Sequence, residues 1–188
     1  MEKNEKENQS SVLEPMVKAV LVADERTLWL EEVIDGLAAQ DYKKIEFLLI
    51  LTGKEKANSD VEDLIKRVFP DSKIVRTSNT TNYALLANLV LRDDLTEFRE
   101  SFFLFLKDDV ILDATCVRRM VELAVGSNAG IVGPKVLDRE NPSQLEDMGS
   151  MLDNFYSPVG RSEKGENDQG QHDEKEISAT PESVMLIR

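Results

Sequence analysis

The chain has 188 residues and a formal net charge of −13, from 36 acidic against 23 basic residues. This length predicts one domain, since domains average roughly 150 residues, and the 41% apolar content can supply a hydrophobic core. The acidic excess argues against non-specific nucleic-acid binding and against docking on an anionic membrane.

Cysteine, histidine and apolar patterning exclude further classes. The single Cys116 and single His172 exclude an internal disulfide and leave almost no basis for a zinc site. No apolar stretch approaches the roughly 18 residues of a membrane span, and the first residues have no secretory signal. We therefore expect a soluble, cytoplasmic globular domain in which any bound metal has oxygen ligands.

Residues 1–14 are polar and predict a disordered tail, and residues 15–188 predict a single domain. Within it, short apolar runs alternate with helical stripes of apolar residues. The runs predict strands at 17–23, 45–51, 73–75, 101–106 and 130–133, and the stripes predict helices at 27–39, 59–69, 81–91 and 113–125. Asp113 reads as the cap of the last helix. This alternation predicts an α/β fold, a mostly parallel open sheet with helices on both faces.

The chain changes character after Val136. Residues 157–174 are polar and glycine-containing, and such a long loop in a compact domain is usually functional or disordered. An apolar run at 183–187 then predicts a final strand, which is followed only by Arg188. A strand that ends without a polar tail leads us to expect that the natural protein continues.

Candidate ligand-binding residues follow the predicted strands, because ligands of open parallel sheets bind beyond the carboxyl ends of the strands. The candidates are Asp24, Glu25, Thr52, Gly53 and the segments 77–81, 107–110 and 134–135. Asp108 and Asp109 are the strongest pair, since adjacent carboxylates suit Mg²⁺ or Mn²⁺ bridging a nucleotide diphosphate. The alternative is that both are solvated turn residues.

Other candidate residues can also be explained as ordinary surface or turn residues. Asp24 and Glu25 could hold a metal or a base, but acidic turn residues are common. Lys135 could meet a phosphate or be a surface lysine, and His172 reads as a solvated loop residue. No second histidine completes a hydrolase triad, and Gly53 belongs to no dinucleotide-binding glycine motif.

The order and spacing of several motifs resemble a known family. The segment 17–188 is similar to the nucleotide-sugar-binding half of family 2 glycosyltransferases, which have a GT-A fold. The closest resemblance is to an actinobacterial branch, often found at the front of large membrane-associated proteins. The stretches that carry it are 29–40 (WLEEVIDGLAAQ), 104–113 (LFLKDDVILD), 130–138 (GIVGPKVLD), 145–149 (LEDMG), 168–173 (DQGQHD) and 184–188 (VMLIR).

The resemblance implies transfer of a sugar from a nucleotide-diphosphate sugar to an acceptor hydroxyl, aided by Mn²⁺ or Mg²⁺. By position, Asp109 matches the metal-binding carboxylate and Asp108 its neighbour on the nucleotide side. The segment 23–25, which is Ala23, Asp24 and Glu25, together with Thr52, matches loops around the base and ribose. The acceptor would be a glycan or lipid-linked molecule of cell-envelope synthesis. A longer chain would be tethered at the inner face of the cell membrane through C-terminal regions.

The sequence also departs from the family. Leu51 stands where an aspartate usually holds the base, and the segment 79–83 (NTTNY) replaces a glycine-rich loop. Lys107 stands where the metal motif usually begins with aspartate, or with histidine in the actinobacterial branch. A lysine there could contact the diphosphate directly, or it could mark a site that no longer binds metal. The family's catalytic base lies downstream of the closing strand, so the catalytic residue is unknown here.

Two alternatives stay open. These departures favour a non-catalytic, glycosyltransferase-like module for binding or assembly. A receiver-type phospho-acceptor domain would use Asp24, Glu25 and Lys135. It would also need an aspartate after the third predicted strand, where Arg76 stands.

Overall fold

The protein is represented by a computed structural model, which describes residues 14–24, 27–52, 59–77, 85, 86, 88, 101–163, 165–173 and 175–188. The helices of this part of the chain are α1 (Leu30–Ala38), α2 (Ser59–Val68) and α3 (Cys116–Ser127). The longer strands are β1 (Met16–Asp24), β2 (Ile45–Thr52), β3 (Lys73–Thr77) and β4 (Ser101–Lys107). Shorter strands follow as β5 (Ile131–Val132), β6 (Val136–Leu137), β7 (Leu145–Asp147), β8 (Ser150–Leu152), β9 (Pro158–Gly160) and β10 (Val184–Ile187).

A six-stranded sheet in the order β3-β2-β1-β4-β10-β5 forms the centre of the fold. The first four of these strands are mutually parallel, whereas β10 is antiparallel to both of its neighbours. The predicted mixed α/β fold with a mostly parallel sheet is therefore confirmed. The prediction of a four-residue fifth strand is corrected, because β5 has two residues and β10 separates it from β4.

Both faces of the sheet are apolar because alternate residues of each strand point to opposite sides. On one face, Leu21, Leu49 and Leu104 pack against buried residues of all three bounded helices. On the other face, Phe103 and Phe105 form a second buried cluster that includes Leu86. Leu86 has helical backbone, as do residues 85 and 88. The rest of the predicted helix 81–91 lies outside the described residues, as do residues 1–13 of the predicted tail.

Two helices begin later than predicted. Thr27 donates its N–H to the carbonyl of Asp24, which makes a turn, and α1 starts only at Leu30. Asp113 accepts hydrogen bonds from the backbone and hydroxyl of Thr115, and α3 starts at Cys116. The Asp113 carboxylate thus closes a turn before the helix instead of capping the helix itself, and its bonds from Thr115 lower its pKa.

The predicted long loop carries ordered structure. Strands β8 and β9 form a hairpin, and Ser150 pairs with Ala179 in an isolated bridge. Gly165 and Gly170 have φ values of +80° and +75°, which explains glycine at these turns. None of the helices in the described ranges is long and apolar enough to cross a membrane.

Candidate functional site

The candidate site lies at the carboxyl ends of β1, β2 and β4. Strands β2 and β4 flank β1, so the strand order reverses between β1 and β4, the position at which open α/β sheets bind ligands. In the register, Asp24 pairs with Thr52 and Val22 pairs with Lys107. The residues predicted from three separate stretches of sequence therefore meet at one edge, except Glu25 and Gly53, which lie outside the described residues.

Asp108 bridges the ends of β4 and β1. Its Oδ2 accepts a hydrogen bond of 2.9 Å from the backbone N–H of Asp24 and a second from the hydroxyl of Thr27. Both donors lie at the turn between β1 and α1, and the carboxylate is half-buried. Asp108 is therefore not merely a solvated turn residue, because one of its oxygens fixes the β1–α1 turn against β4.

Asp109 is the next residue of the same turn and is exposed. Its carboxylate has no hydrogen-bond or ion-pair partner among the residues that the structure describes. The side chain is thus available to a ligand from solvent. This contrast within the pair, one carboxylate engaged and one available, did not follow from the sequence.

These two carboxylates fit a divalent ion that shares its coordination with a ligand. No group of three or more His, Cys, Asp or Glu side chains in the described part of the chain could hold a metal alone. Mg²⁺ and Mn²⁺ prefer oxygen ligands, and Mg²⁺ is commonly bound by one or two carboxylates together with substrate phosphates and water. Asp109 with Asp108 provides that donor set.

Lys107 ends β4 beside the acidic pair. Its ammonium lies 3.1 Å from Oε2 of Glu182, and its backbone N–H bonds to the carbonyl of Ser183. The Glu182 side chain is 91% exposed, so this ion pair is solvated and contributes little stability. A phosphate could therefore replace Glu182 as the partner of Lys107 without a large energetic cost.

Ala23 and Thr52 form the packed floor of the site. Ala23 is buried in the core, and the Thr52 hydroxyl donates to the Ala23 carbonyl at 3.2 Å. Leu51, at the position where the resembled family has an aspartate, is 1% exposed and belongs to the same core. At the floor the Thr52 hydroxyl is thus engaged by the β1 backbone, whereas Lys107 at the end of β4 and Asp109 just after it are more exposed.

Lys135 and His172 belong to a separate cluster. The Lys135 ammonium lies 2.6 Å from Asp168 and 2.7 Å from Asp173. Partial burial lowers the pKa of Lys135, but the hydrogen bonds to these two carboxylates outweigh it and raise the pKa above its ordinary value. His172 is not a solvated loop residue as expected, because its Nε2 lies 3.1 Å from Glu166 and most of the ring is covered.

This arrangement weighs against the receiver alternative. Lys135 is engaged by two carboxylates of the loop 166–173. In addition, β1 lies between β2 and β4 and β3 is at the sheet edge, whereas a receiver-type sheet has the order 2-1-3-4-5.

Sequence reasoning missed two residues of the site, Thr27 and Glu182. Thr27 was assigned to a helix, and it lies 81 positions from its partner Asp108. Glu182 lies 75 positions from Lys107 and precedes the final strand. Only the position of β10 against β4, which no local pattern indicates, brings Glu182 to this edge.

The chain is similar to known proteins in structure but not in sequence. No protein-family model and no curated protein sequence matches the chain. The structure of S. aureus TarS residues 1–349 has a TM-score of 0.57 and 11% identity, over 76% of this chain and 43% of that one. A mannosyltransferase from Pyrobaculum calidifontis, solved with GDP-Man and Mn²⁺, has a TM-score of 0.53 and 18% identity, over 68% and 37%.

A further TarS structure, solved in complex with UDP-GlcNAc, gives a TM-score of 0.53 at 11% identity, over 64% of this chain and 34% of that one. At such identities the likeness establishes the fold: the chain has the mixed α/β architecture of these nucleotide-sugar-binding structures. It spans less than half the length of each of them.

Proposed function

We propose that the chain is the donor-binding part of a metal-dependent glycosyltransferase. It would bind a nucleotide-diphosphate sugar together with Mn²⁺ or Mg²⁺ for transfer of the sugar to an acceptor hydroxyl. The observation that carries the proposal is the acidic pair at the β1–β4 edge, where Asp108 is anchored to β1 and Asp109 is exposed and unpartnered among the described residues. Bound UDP-GlcNAc in TarS and GDP-Man with Mn²⁺ in the mannosyltransferase support it.

In the proposed reaction, the acceptor oxygen forms a bond to the anomeric carbon as the bond from that carbon to the diphosphate breaks. The diphosphate leaves with the electron pair, and the acceptor proton passes to a base that we do not assign. A divalent ion supplies charge stabilisation for the departing diphosphate. Asp109 would hold the ion, and Asp108 would keep the turn in place through its bond to Asp24.

Lys107 would contribute positive charge to the diphosphate by exchanging its exposed partner Glu182 for a phosphate oxygen. The base and ribose would lie over Ala23, Asp24, Glu25 and Thr52. Ala23 is buried and would contribute shape rather than a side-chain bond. A glycan or lipid-linked acceptor of cell-envelope synthesis would be used at the inner face of the membrane, as in the actinobacterial branch that the motifs resemble.

The test is calorimetric titration with UDP-GlcNAc and GDP-mannose, with and without Mn²⁺. We expect one of these donors to bind in a Mn²⁺-dependent manner, and we expect Asp109→Asn to remove that dependence. Asp63→Asn is the matched control, because Asp63 is an exposed carboxylate on α2 and the charge change is identical. Absence of binding by either donor, or equal effects of the two variants, would contradict the proposal.

A second candidate function is a non-catalytic module that retains nucleotide-sugar binding without transfer. Leu51 favours it, because this buried apolar side chain cannot hydrogen-bond a base. The two candidates separate on turnover. The measurement uses the longer chain that we expect to follow the final strand, because the donor-binding part alone should lack the base. There, release of free nucleotide from a bound donor, with acceptor or water, identifies an enzyme, and tight binding without release identifies the module.

A further inference from the structure

The segment that follows Asp109 lies against α1. Gly36 of α1 faces this segment so closely that an added Cβ would lie 3.1 Å from Ile111 Cγ2 and 3.3 Å from the backbone nitrogen of Leu112. After the helix, the N–H of Asp41 donates to the carbonyl of Ala114 at 2.8 Å. The path from the acidic pair to α3 is therefore fixed by the second half of α1 and the residues just after it.

Gln40 provides the main polar connection between these elements. Its side chain is 1% exposed, the lowest exposure of any buried polar residue in the described part of the chain. The amide nitrogen donates to the carbonyls of Gly36 at 2.9 Å and Asp113 at 2.7 Å. The amide oxygen accepts the N–H of Val117 at 3.0 Å. One buried amide thus joins the end of α1 to both sides of the α3 start.

The bond to Val117 satisfies a buried backbone group. The Val117 N–H is in the first turn of α3, where backbone N–H groups have no partner within the helix. The N-cap position, Thr115, makes no side-chain capping bond, and the side-chain oxygen of Gln40, which follows α1, accepts this N–H instead. The amide uses both of its N–H donors and one acceptor position, which is close to its full capacity.

We propose that Gln40 is a positioning residue for the acidic pair, an inference that rests on the proposed function. Asp109 is exposed and has no hydrogen-bond or ion-pair partner among the described residues, so we expect its place to depend on the anchors on either side. The first anchor is the bond from Asp24 to Asp108, and the second is the bond from Gln40 to Asp113. The two anchors come from the end of β1 and from the residue two positions after α1, and they hold the segment at two points five residues apart.

The first test compares Gln40→Met with Ile65→Ala. Methionine has a similar length but makes none of the three hydrogen bonds, and Ile65 is a fully buried residue of α2 that takes no part in those bonds. The probe is Mn²⁺ with UDP or GDP, and free Mn²⁺ is measured by electron paramagnetic resonance. We expect Gln40→Met to weaken Mn²⁺ binding about 10-fold or more, as for other residues that orient metal ligands.

Ile65→Ala should destabilise the core but leave Mn²⁺ affinity within about 2-fold of the unmodified chain. The titrations are made well below the unfolding temperatures of both variants, so that loss of folded protein does not affect the measured affinity. Nucleotide binding without Mn²⁺ should change little in either variant. Equal Mn²⁺ affinity in Gln40→Met and the unmodified chain would overturn the inference while leaving the proposed function intact.

The second test needs no ligand. Amide hydrogen exchange is measured at Asp24, whose N–H donates to Asp108 and not to Gln40. We expect faster exchange at this amide in Gln40→Met than in Ile65→Ala, because release of the second anchor lets the acidic turn move. Unchanged protection of the Asp24 amide in Gln40→Met would overturn the inference, whether or not the chain binds a nucleotide. Failure of the unmodified chain to bind a nucleotide would instead count against the proposed function.

Discussion

Substitution of Asp108 by alanine should destabilise the protein measurably, whereas substitution of Asp109 should not. Asp108→Ala removes the acceptor of two hydrogen bonds, from the Asp24 N–H and the Thr27 hydroxyl. Hydrogen bonds to charged groups contribute about 1.5–3 kcal/mol each. Because Asp108 is only half-buried and the Thr27 hydroxyl can turn to water, we expect the two bonds together to contribute about as much as one such bond.

We therefore expect a loss of about 2 kcal/mol in the free energy of unfolding for Asp108→Ala. For a chain of this size, 1 kcal/mol corresponds to about 2–4 °C, which predicts a fall in Tm of about 4–8 °C. Asp108→Asn retains an acceptor oxygen but loses the charge, so about half of this loss is expected. Asp109→Ala should lie within about 0.5 kcal/mol of the unmodified chain, as for other exposed residues.

The assay is urea unfolding followed by far-ultraviolet circular dichroism, with midpoints and slopes compared at fixed pH and salt. Equal slopes are needed for the midpoints to report stability alone. If Asp108→Ala unfolds at the same urea concentration as Asp109→Ala, the bridge between β4 and β1 does not hold the turn, and the structural basis of the site is wrong.

Three further predictions concern other parts of the fold. Gly149→Ala should destabilise the bridge between Ser150 and Ala179 by several kcal/mol, because φ is +73° and the new Cβ would lie 2.3 Å from the Ala179 carbonyl oxygen. Thermal unfolding measures this effect, and an unchanged Tm would contradict the prediction. The hydrogen bond from Lys135 lowers the pKa of Asp168, so its contribution to stability is present above about pH 4 and is lost as the pH falls through the lower folded pKa. In Lys135→Met, the free energy of unfolding should therefore fall less steeply as the pH decreases below about 4, and an unchanged pH dependence would refute this. Burial raises the pKa of the Cys116 thiol to about 11, so its alkylation at pH 8 should be far slower in the folded than in the unfolded protein, and equal rates would show that the thiol is accessible.

The sequence predicted the sheet well because its signal is local. The run at 101–106 is almost wholly apolar, and β4 occupies it with one added residue, Lys107. The position of β10 in the sheet could not be predicted in this way. Its apolar residues indicate a strand, but pairing with β4 on one side and β5 on the other is decided by tertiary contacts that periodicity does not encode.

The candidate site was predictable in location and not in detail. Asp108 and Asp109 follow a recognisable buried strand, and the parallel sheet dictates that strand ends share an edge. Their division of roles depends on Thr27, which is distant in sequence and was assigned to a helix. Likewise, Gln40 appeared only as the last residue of a helical motif, because two of the three groups that it bonds lie more than 70 positions away.

The most direct measurement is a crystal structure of the chain with Mn²⁺ and UDP, using anomalous scattering to locate the metal. The account predicts a Mn²⁺ peak within bonding distance of the Asp109 carboxylate, with UDP phosphates completing its coordination at the carboxyl ends of β1 and β4. A nucleotide bound elsewhere, or a Mn²⁺ ion ligated by other residues while Asp109 points into solvent, would contradict it.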